Sequence, residues 1–170
     1  MLNRIITLDE VDSTNNYLKL NRGELPDGTL VTARIQTAGK GRRGHEWLAD
    51  QGMLPLSLLL KQPPHPDTLT LCAGVAVCEA LEPLLPGEEL GIKWPNDVVL
   101  NRKKLVGILT EMSAEPDLIH YIVTGIGINV NMKEFPEELS DKATSLWMET
   151  GKIYSRAELA ARILNRLEPV

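Results

Sequence analysis

Cysteine and histidine are scarce in this chain and cations are in deficit: its 170 residues include two cysteines, three histidines, and 18 Lys and Arg against 23 Asp and Glu. Each shortage excludes a class of protein. Two cysteines make no disulfide scaffold. Cys72 and Cys78 lie six apart in what reads as one helix, on different faces of it, and cannot bridge within it. They read as buried free thiols of a reducing compartment. His45, His65 and His120 are scattered, without the cysteine or carboxylate spacing of a zinc site, so no transition metal is indicated. A formal charge of −5 argues against general nucleic-acid binding, which needs a basic stripe. No apolar run approaches the ~20 residues of a membrane span, and the start, MLNRIITLDEVDSTNN, lacks the apolar core of a signal peptide. The expectation is a cytoplasmic protein with no DNA and no membrane partner.

What is present is first an ordinary globular composition, 43% hydrophobic and 24% charged. Residues 1–170 read as one domain without linker or repeat, long enough to bury roughly 70% of the surface that the unfolded chain exposes. Within it, QTAGKGRRGHEW (36–47) is the segment most committed to chemistry. Gly39, Gly41 and Gly44 permit tight turns that expose backbone N–H groups, and Lys40, Arg42 and Arg43 add positive charge to the same loop. The combination asks for an anion, although a solvated surface turn is the plainer alternative. VTARI before the loop and MLPLSLLL after it read as buried strands, and the connection is longer than a hairpin requires. It is not a Walker loop, which needs glycine and Ser/Thr where this chain has Arg34 and Gly41.

Strands are expected at 5–8, 29–35 and 53–60, with Asp12 or Ser13 capping a helix through Tyr17 to Leu20. The strand-to-helix turn therefore carries Ser13, Thr14 and Asn15, for which capping alone is the plainest role. A helix over 69–84 has small apolar residues suited to close packing on a sheet, and Pro86 and Gly87 stop it. LGIKW, PND and VVLNRKKLVGILTEM give a strand–turn–strand pattern with a turn at 101–103. Another strand region, 118–131, is interrupted by Gly125 and Gly127, a partly helical connection follows, and Ser155 and Glu158 form a capping box for a last helix. The fold class is α+β: a mixed, mostly antiparallel sheet with helices packed on one face.

KWPND (93–97) sets a cation, an aromatic ring, a turn-forming proline, an amide and a carboxylate between two strands. Asn96 can donate and accept at once, and Asp97 can hold Mg²⁺ through oxygen. Lys104 begins the strand KLVGIL, where Gly107 signals the close approach of a ligand or backbone. Gly125 and Gly127 do the same on the next strand, where Asn129 adds an amide. Together these positions can line one pocket.

In order and spacing, DSTNNYL, QTAGKGRRGHEW, KWPND, KLVGIL and GIGINVN resemble the catalytic domain of biotin–protein ligases (biotin–[acetyl-CoA-carboxylase] ligases), over almost all of residues 5–131. The resemblance implies the class II synthetase-like fold of biotin and lipoate ligases. It also implies a reaction in two steps: biotin and ATP give biotinyl-5′-adenylate and pyrophosphate, and biotin then passes to one lysine of a biotin carboxyl carrier protein. ATP and Mg²⁺ are the implied cofactors. By the same resemblance Lys104 and Arg42 are catalytic, and biotin meets Ser13, Thr14, Asn15, Gln36, Gly39, Lys40, Gly41, Arg42 and Lys104. The nucleotide meets Arg42, Arg43, Trp47, Lys93, Asn96 and Asn129, and Asp97 is the Mg²⁺ candidate. Arginine is usual in the family where this chain has Lys40 and His45, and Pro55 and Leu56 replace aromatic residues. No helix-turn-helix precedes Ile5, as in ligases that do not act as repressors. Family members continue past the equivalent of Val170 into a small β-barrel-like domain, so the chain reads as truncated, and a homodimer through sheet edges is implied. The alternatives are a lipoate- or octanoate-transferring enzyme of the same fold and a non-catalytic biotin-binding fragment.

Overall fold

A computed structural model describes residues 2–47 and 50–167. Seven strands form one sheet: β1 (Arg4–Val11), β2 (Thr29–Gln36), β3 (Met53–Leu60), β4 (Leu90–Lys93), β5 (Asp97–Leu100), β6 (Lys103–Glu115) and β7 (Leu118–Asn129). Their order is β1-β2-β3-β7-β6-β5-β4. β1 and β2 pair in parallel, and every other neighbouring pair is antiparallel. A parallel pair needs a crossover, and helix α1 (Thr14–Asn21) lies within that connection. Three further helices are α2 (Leu69–Leu81), α3 (Leu146–Thr150) and α4 (Arg156–Leu167).

Successive residues of a strand point to opposite faces, and both faces of the central strands are covered. Leu30, Leu54, Leu56, Ile126 and Ile128 join Ala73, Val77, Leu81, Leu159 and Ile163 of α2 and α4 in the larger core. Val31, Leu59 and Val123 instead meet Leu18 of α1 in a smaller one. Burying each such Leu, Ile or Val contributes about 1.5–3 kcal/mol. The mixed, mostly antiparallel sheet is as the sequence implies. The expectation of helices on one face is corrected: α1 takes the face opposite α2 and α4, because alternate residues of the central strands are apolar on both sides. That two-sided burial is why MLPLSLLL is a nearly continuous apolar run, with Ser57 its one polar residue.

Local chemistry sets the ends. Ser13 is extended at φ −156° and ψ 134°, and its hydroxyl accepts from Asn16 N–H at the start of α1. α2 stops at Leu81, short of the expected 84, because Pro83 has no N–H to give and a 3₁₀ turn takes over at Glu82–Leu84. Ser155 accepts from Glu158 N–H before α4, half of the expected capping box. Cys72 and Cys78 are free, and half-buried rather than buried. Burial, with Glu82 nearby, pushes the Cys78 thiol up to about 11. No helix among the described residues is long and apolar enough to cross a membrane.

Candidate active site

Two rungs of the sheet form the floor of a cleft on the α1 face. In one, Ser57 of β3 stands opposite Gly125 of β7, which stands opposite Leu109 of β6. In the next, Pro55, Gly127, Gly107 and Asp97 lie side by side across β3, β7, β6 and β5. The glycines are there because side chains from elsewhere rest on them. A Cβ at Gly125 would stand 2.3 Å from Asn15 Oδ1, and one at Gly107 or Gly127 would stand 2.6 Å from the Trp47 ring.

Asn15 belongs to a buried polar network at the closed end of the cleft. Gln36 Oε1 accepts from the Thr14 backbone N–H at 2.8 Å and lies 2.9 Å from Thr14 Oγ1. Thr14 Oγ1 is 2.7 Å from Ser57 Oγ, which donates to Asn15 Oδ1 at 2.5 Å. Asn15 Nδ2 donates to Glu111 Oε2 at 2.9 Å, and Lys19 Nζ meets Glu111 Oε1 at 2.7 Å. Burial opposes ionisation of Glu111, but the hydrogen bonds from Lys19 and Asn15 and the Lys19 charge outweigh it, holding the carboxyl below its ordinary value.

The glycine-rich loop forms the open end. It folds back on itself through Trp47 N–H to Gly39 O at 2.9 Å and Gly41 N–H to His45 O at 2.6 Å. Arg43 and Gly44, at φ 57° and 78°, take the left-handed conformation in its single 3₁₀ turn, Arg42–Gly44. Arg42 Nη1 donates to Asn96 Oδ1 at 3.3 Å. Asn96 is itself tied to β6, donating to Ile108 O through Nδ2 at 3.0 Å and accepting from Ile108 N–H at its own backbone carbonyl at 2.9 Å. Trp47 Nε1 donates to Met53 Sδ at 2.8 Å, and the Lys104 ammonium stands 5.1 Å from the indole centroid.

Lys104 Nζ also lies 2.8 Å from Asp97 Oδ1. That contact is an ion pair without hydrogen-bond alignment, so the buried oxygen keeps an unfilled lone pair. The Lys104 backbone is tied in turn to the 142–144 segment, donating to Lys142 O at 2.8 Å and accepting from Thr144 N–H at 2.9 Å.

Ser13, Thr14, Asn15, Gln36, Lys40, Gly41, Arg42, Trp47, Asn96 and Lys104 thus meet around one cleft. An adjoining cleft adds Arg43, Asp97 and Asn129 and shares Gly41, Arg42, Trp47, Asn96 and Lys104. Two of the expected residues stand apart. Gly39 is buried behind the wall, where a Cβ would meet the Trp47 carbonyl at 2.7 Å, and it serves the loop's fold. Lys93 is exposed on edge strand β4 and lines neither cleft, because its neighbour Trp94 turns the chain before Asn96 enters. Sequence reasoning missed Ser57, Met53, Lys19 and Glu111. Ser57 had a signal, a lone hydroxyl in an otherwise apolar buried strand.

The arrangement offers hydrogen-bonding groups at a closed end, an apolar middle of Trp47, Met53, Pro55 and Leu109, and cations at the mouth. It suits a ligand with a compact polar head, an aliphatic body and an anionic end that reacts beside Lys104 and Arg42.

Residues 8–129 match the Biotin/lipoate A/B protein ligase family. The chain is 42% identical over 167 residues to the bifunctional ligase/repressor BirA of Bacillus spizizenii, covering 94% of this chain and 51% of that protein. It is 39% identical over 149 residues to the biotin–[acetyl-CoA-carboxylase] ligase of Mycobacterium tuberculosis, covering 84% and 53%. The biotin protein ligase of Aquifex aeolicus in complex with biotin and ATP superposes with a TM-score of 0.86 at 40% identity, covering 99% of this chain and 70% of that one. The chain therefore spans about half the length of the curated relatives it matches. Matched over its sheet, its cleft and its glycine-rich loop, the chain belongs to the Biotin/lipoate A/B protein ligase family.

Proposed function

We propose that this chain carries the catalytic site of an ATP-dependent biotin–protein ligase. The observation that carries the reading is the continuity of the cleft, from the buried Thr14–Ser57–Asn15 network to Lys104 and Arg42 on the border of the second cleft. A ureido head supplies two N–H donors and a carbonyl for the network, and the valeryl chain follows the apolar middle. The biotin carboxylate then arrives beside Lys104.

There a carboxylate oxygen attacks the α-phosphorus of ATP, the bond to the β-phosphate oxygen breaks, and pyrophosphate leaves. Both reactants are anionic, so fixed cations and N–H donors must sit where charge accumulates. Lys104 and Arg42 serve that role. In the second step the amine of a lysine on a biotin carboxyl carrier protein attacks the acyl carbon, and AMP departs with the electron pair of the broken bond. No protein nucleophile is needed. Trp47, Arg43, Asn96 and Asn129 line the nucleotide side, and the loop over the cleft protects an acyl-adenylate that water would hydrolyse.

Asp97 is the Mg²⁺ candidate, and because its buried Oδ1 already lies 2.8 Å from the Lys104 ammonium, an ion held there would compete with Lys104 for the carboxylate. A single carboxylate accords with the usual habit of this ion, which takes most of its ligands from phosphates and water and supplies charge neutralisation. The half-buried free thiols suit a cytoplasmic protein. Association of two copies through sheet edges is read out by sedimentation.

Mass spectrometry of a biotin carrier domain incubated with the chain, biotin and Mg·ATP tests the whole reading, with one biotinyl addition at a single lysine expected. Pyrophosphate exchange into ATP tests the first step alone. Exchange stimulated by lipoate and not by biotin overturns the biotin assignment, and biotin binding with no adenylate formed leaves a binding module.

A further inference from the structure

The buried network has a direction, and proton counting gives it. Three oxygen–oxygen contacts run from Gln36 Oε1 to Asn15 Oδ1, at 2.9 Å, 2.7 Å and 2.5 Å, and only the Thr14 and Ser57 hydroxyl protons are available to fill them. Gln36 Oε1 is already satisfied by the Thr14 backbone N–H, so it is the acceptor that can forgo a hydroxyl proton. Thr14 therefore donates to Ser57, and Ser57 donates to Asn15. This order requires Asn15 to turn its oxygen toward Ser57 and its NH₂ away. The NH₂ is met there by Glu111 Oε2 at 2.9 Å and the Leu109 carbonyl at 3.4 Å.

Glu111 lines no part of the cleft; among the described residues its one hydrogen bond to a cleft residue is from Asn15, and Lys40 acts on it through charge alone. A carboxylate accepts at both oxygens, and here one takes the Lys19 ammonium while the other takes Asn15. We propose that Glu111, anchored by Lys19, is a positioning residue that sets the direction of this hydrogen-bond chain and thereby makes the closed end of the cleft an acceptor for N–H donors. Resting on the biotin reading, the inference assigns the lone pairs of Asn15, Ser57 and Thr14 to the ureido N–H groups. Gln36 Nε2, the free end of its amide, takes the carbonyl.

Glu111→Gln isolates this role because it keeps shape and removes one acceptor. Lys19 has only donors, so the introduced amide must give its oxygen to Lys19 and its NH₂ to Asn15. Asn15 then flips, its NH₂ faces Ser57, and the chain reverses. Without ligand, NMR is expected to show contacts from the Asn15 amide protons to the Glu111 methylenes in the wild type and to the Ser57 methylene in Glu111→Gln. By calorimetry, Glu111→Gln loses about 10- to 100-fold in biotin affinity. An analogue methylated at a ureido nitrogen, which already lacks an N–H, loses far less. When Lys19→Met is combined with Glu111→Gln, nothing holds the oxygen of the introduced amide away from Asn15, and most of the lost biotin affinity returns.

Equal losses for both ligands, no recovery in the double variant, or Ser57 contacts in the wild type each overturn the proposal. A wild type that binds no biotin, yet gives the expected amide contacts in both proteins, overturns the biotin reading and leaves the direction of the chain standing.

Discussion

At the closed end of the cleft, Thr14, Asn15 and Ser57 are at most 6% exposed and bond chiefly to one another. At the mouth, Lys40, Arg42 and Arg43 are exposed, and among the described residues the one side-chain hydrogen bond from the loop's cations is Arg42 to Asn96. The first group stands on strands and a helix end, the second on a turn with two left-handed residues. A network with every proton assigned selects one ligand shape before the ligand arrives. Cations on a lightly tied loop do less selecting and more stabilising of charge that appears only during reaction. Recognition and chemistry are thus divided along one cleft, and Lys104, fixed on β6 but facing the mouth, lies between them.

The largest test of that division is Lys104→Ala. Single-turnover adenylate formation is expected to fall about 100- to 1,000-fold with the unfolding midpoint nearly unchanged, and an unaltered rate removes Lys104 from the chemistry. Gly125→Ala strikes the other end. Its Cβ pushes Asn15 off Ser57 and Glu111, so biotin affinity by calorimetry should drop about 10- to 100-fold, for a stability cost of about 1–3 kcal/mol. Affinity that survives this change means that the closed end is not preformed.

Arg42→Gly, at the mouth, is expected to leave biotin affinity largely intact while direct assay of released biotinyl-adenylate shows escape about tenfold faster, equivalent to about 1.4 kcal/mol. A large affinity loss here instead erases the contrast between the two ends. The smallest effect is on pH dependence. Because the folded state lowers the Glu111 pKa below its ordinary 4.5, its contribution to stability is complete above that value and fades as pH falls through the lowered one. The difference in denaturation free energy between wild type and Glu111→Gln should therefore shrink on acidification from pH near 7 to below about 4, and it is under about 1 kcal/mol throughout.

Much of this was legible in the sequence. Apolar runs bounded by turn residues located the central strands, and Ser13 announced its cap. Glycines within strands 107–127 announced close approach, which Trp47 and Asn15 make. Gly39 and Lys93, expected at the site, line neither cleft, because nearness in sequence to charged or aromatic neighbours carries no information about which way a residue faces. Glu111 was invisible for another reason. A carboxylate in the middle of KLVGILTEM reads as a solvent-facing residue of a half-exposed strand, and its partner Lys19 is 92 residues away on a different element. Pairings closed by tertiary structure leave no local pattern.

The glycine floor has a consequence for how such a site can change over generations. Where side chains line a pocket, its depth can be adjusted one methylene at a time. Under Asn15 and Trp47 the surface is main chain, at Gly125, Gly127 and Gly107, and any replacement intrudes by a whole carbon at 2.3–2.6 Å from what rests there. Such a floor admits no gradual adjustment: it is kept or it is blocked. Variation in what the cleft accepts must therefore come from its walls and its loop, from residues such as Lys40, Arg42 and Met53.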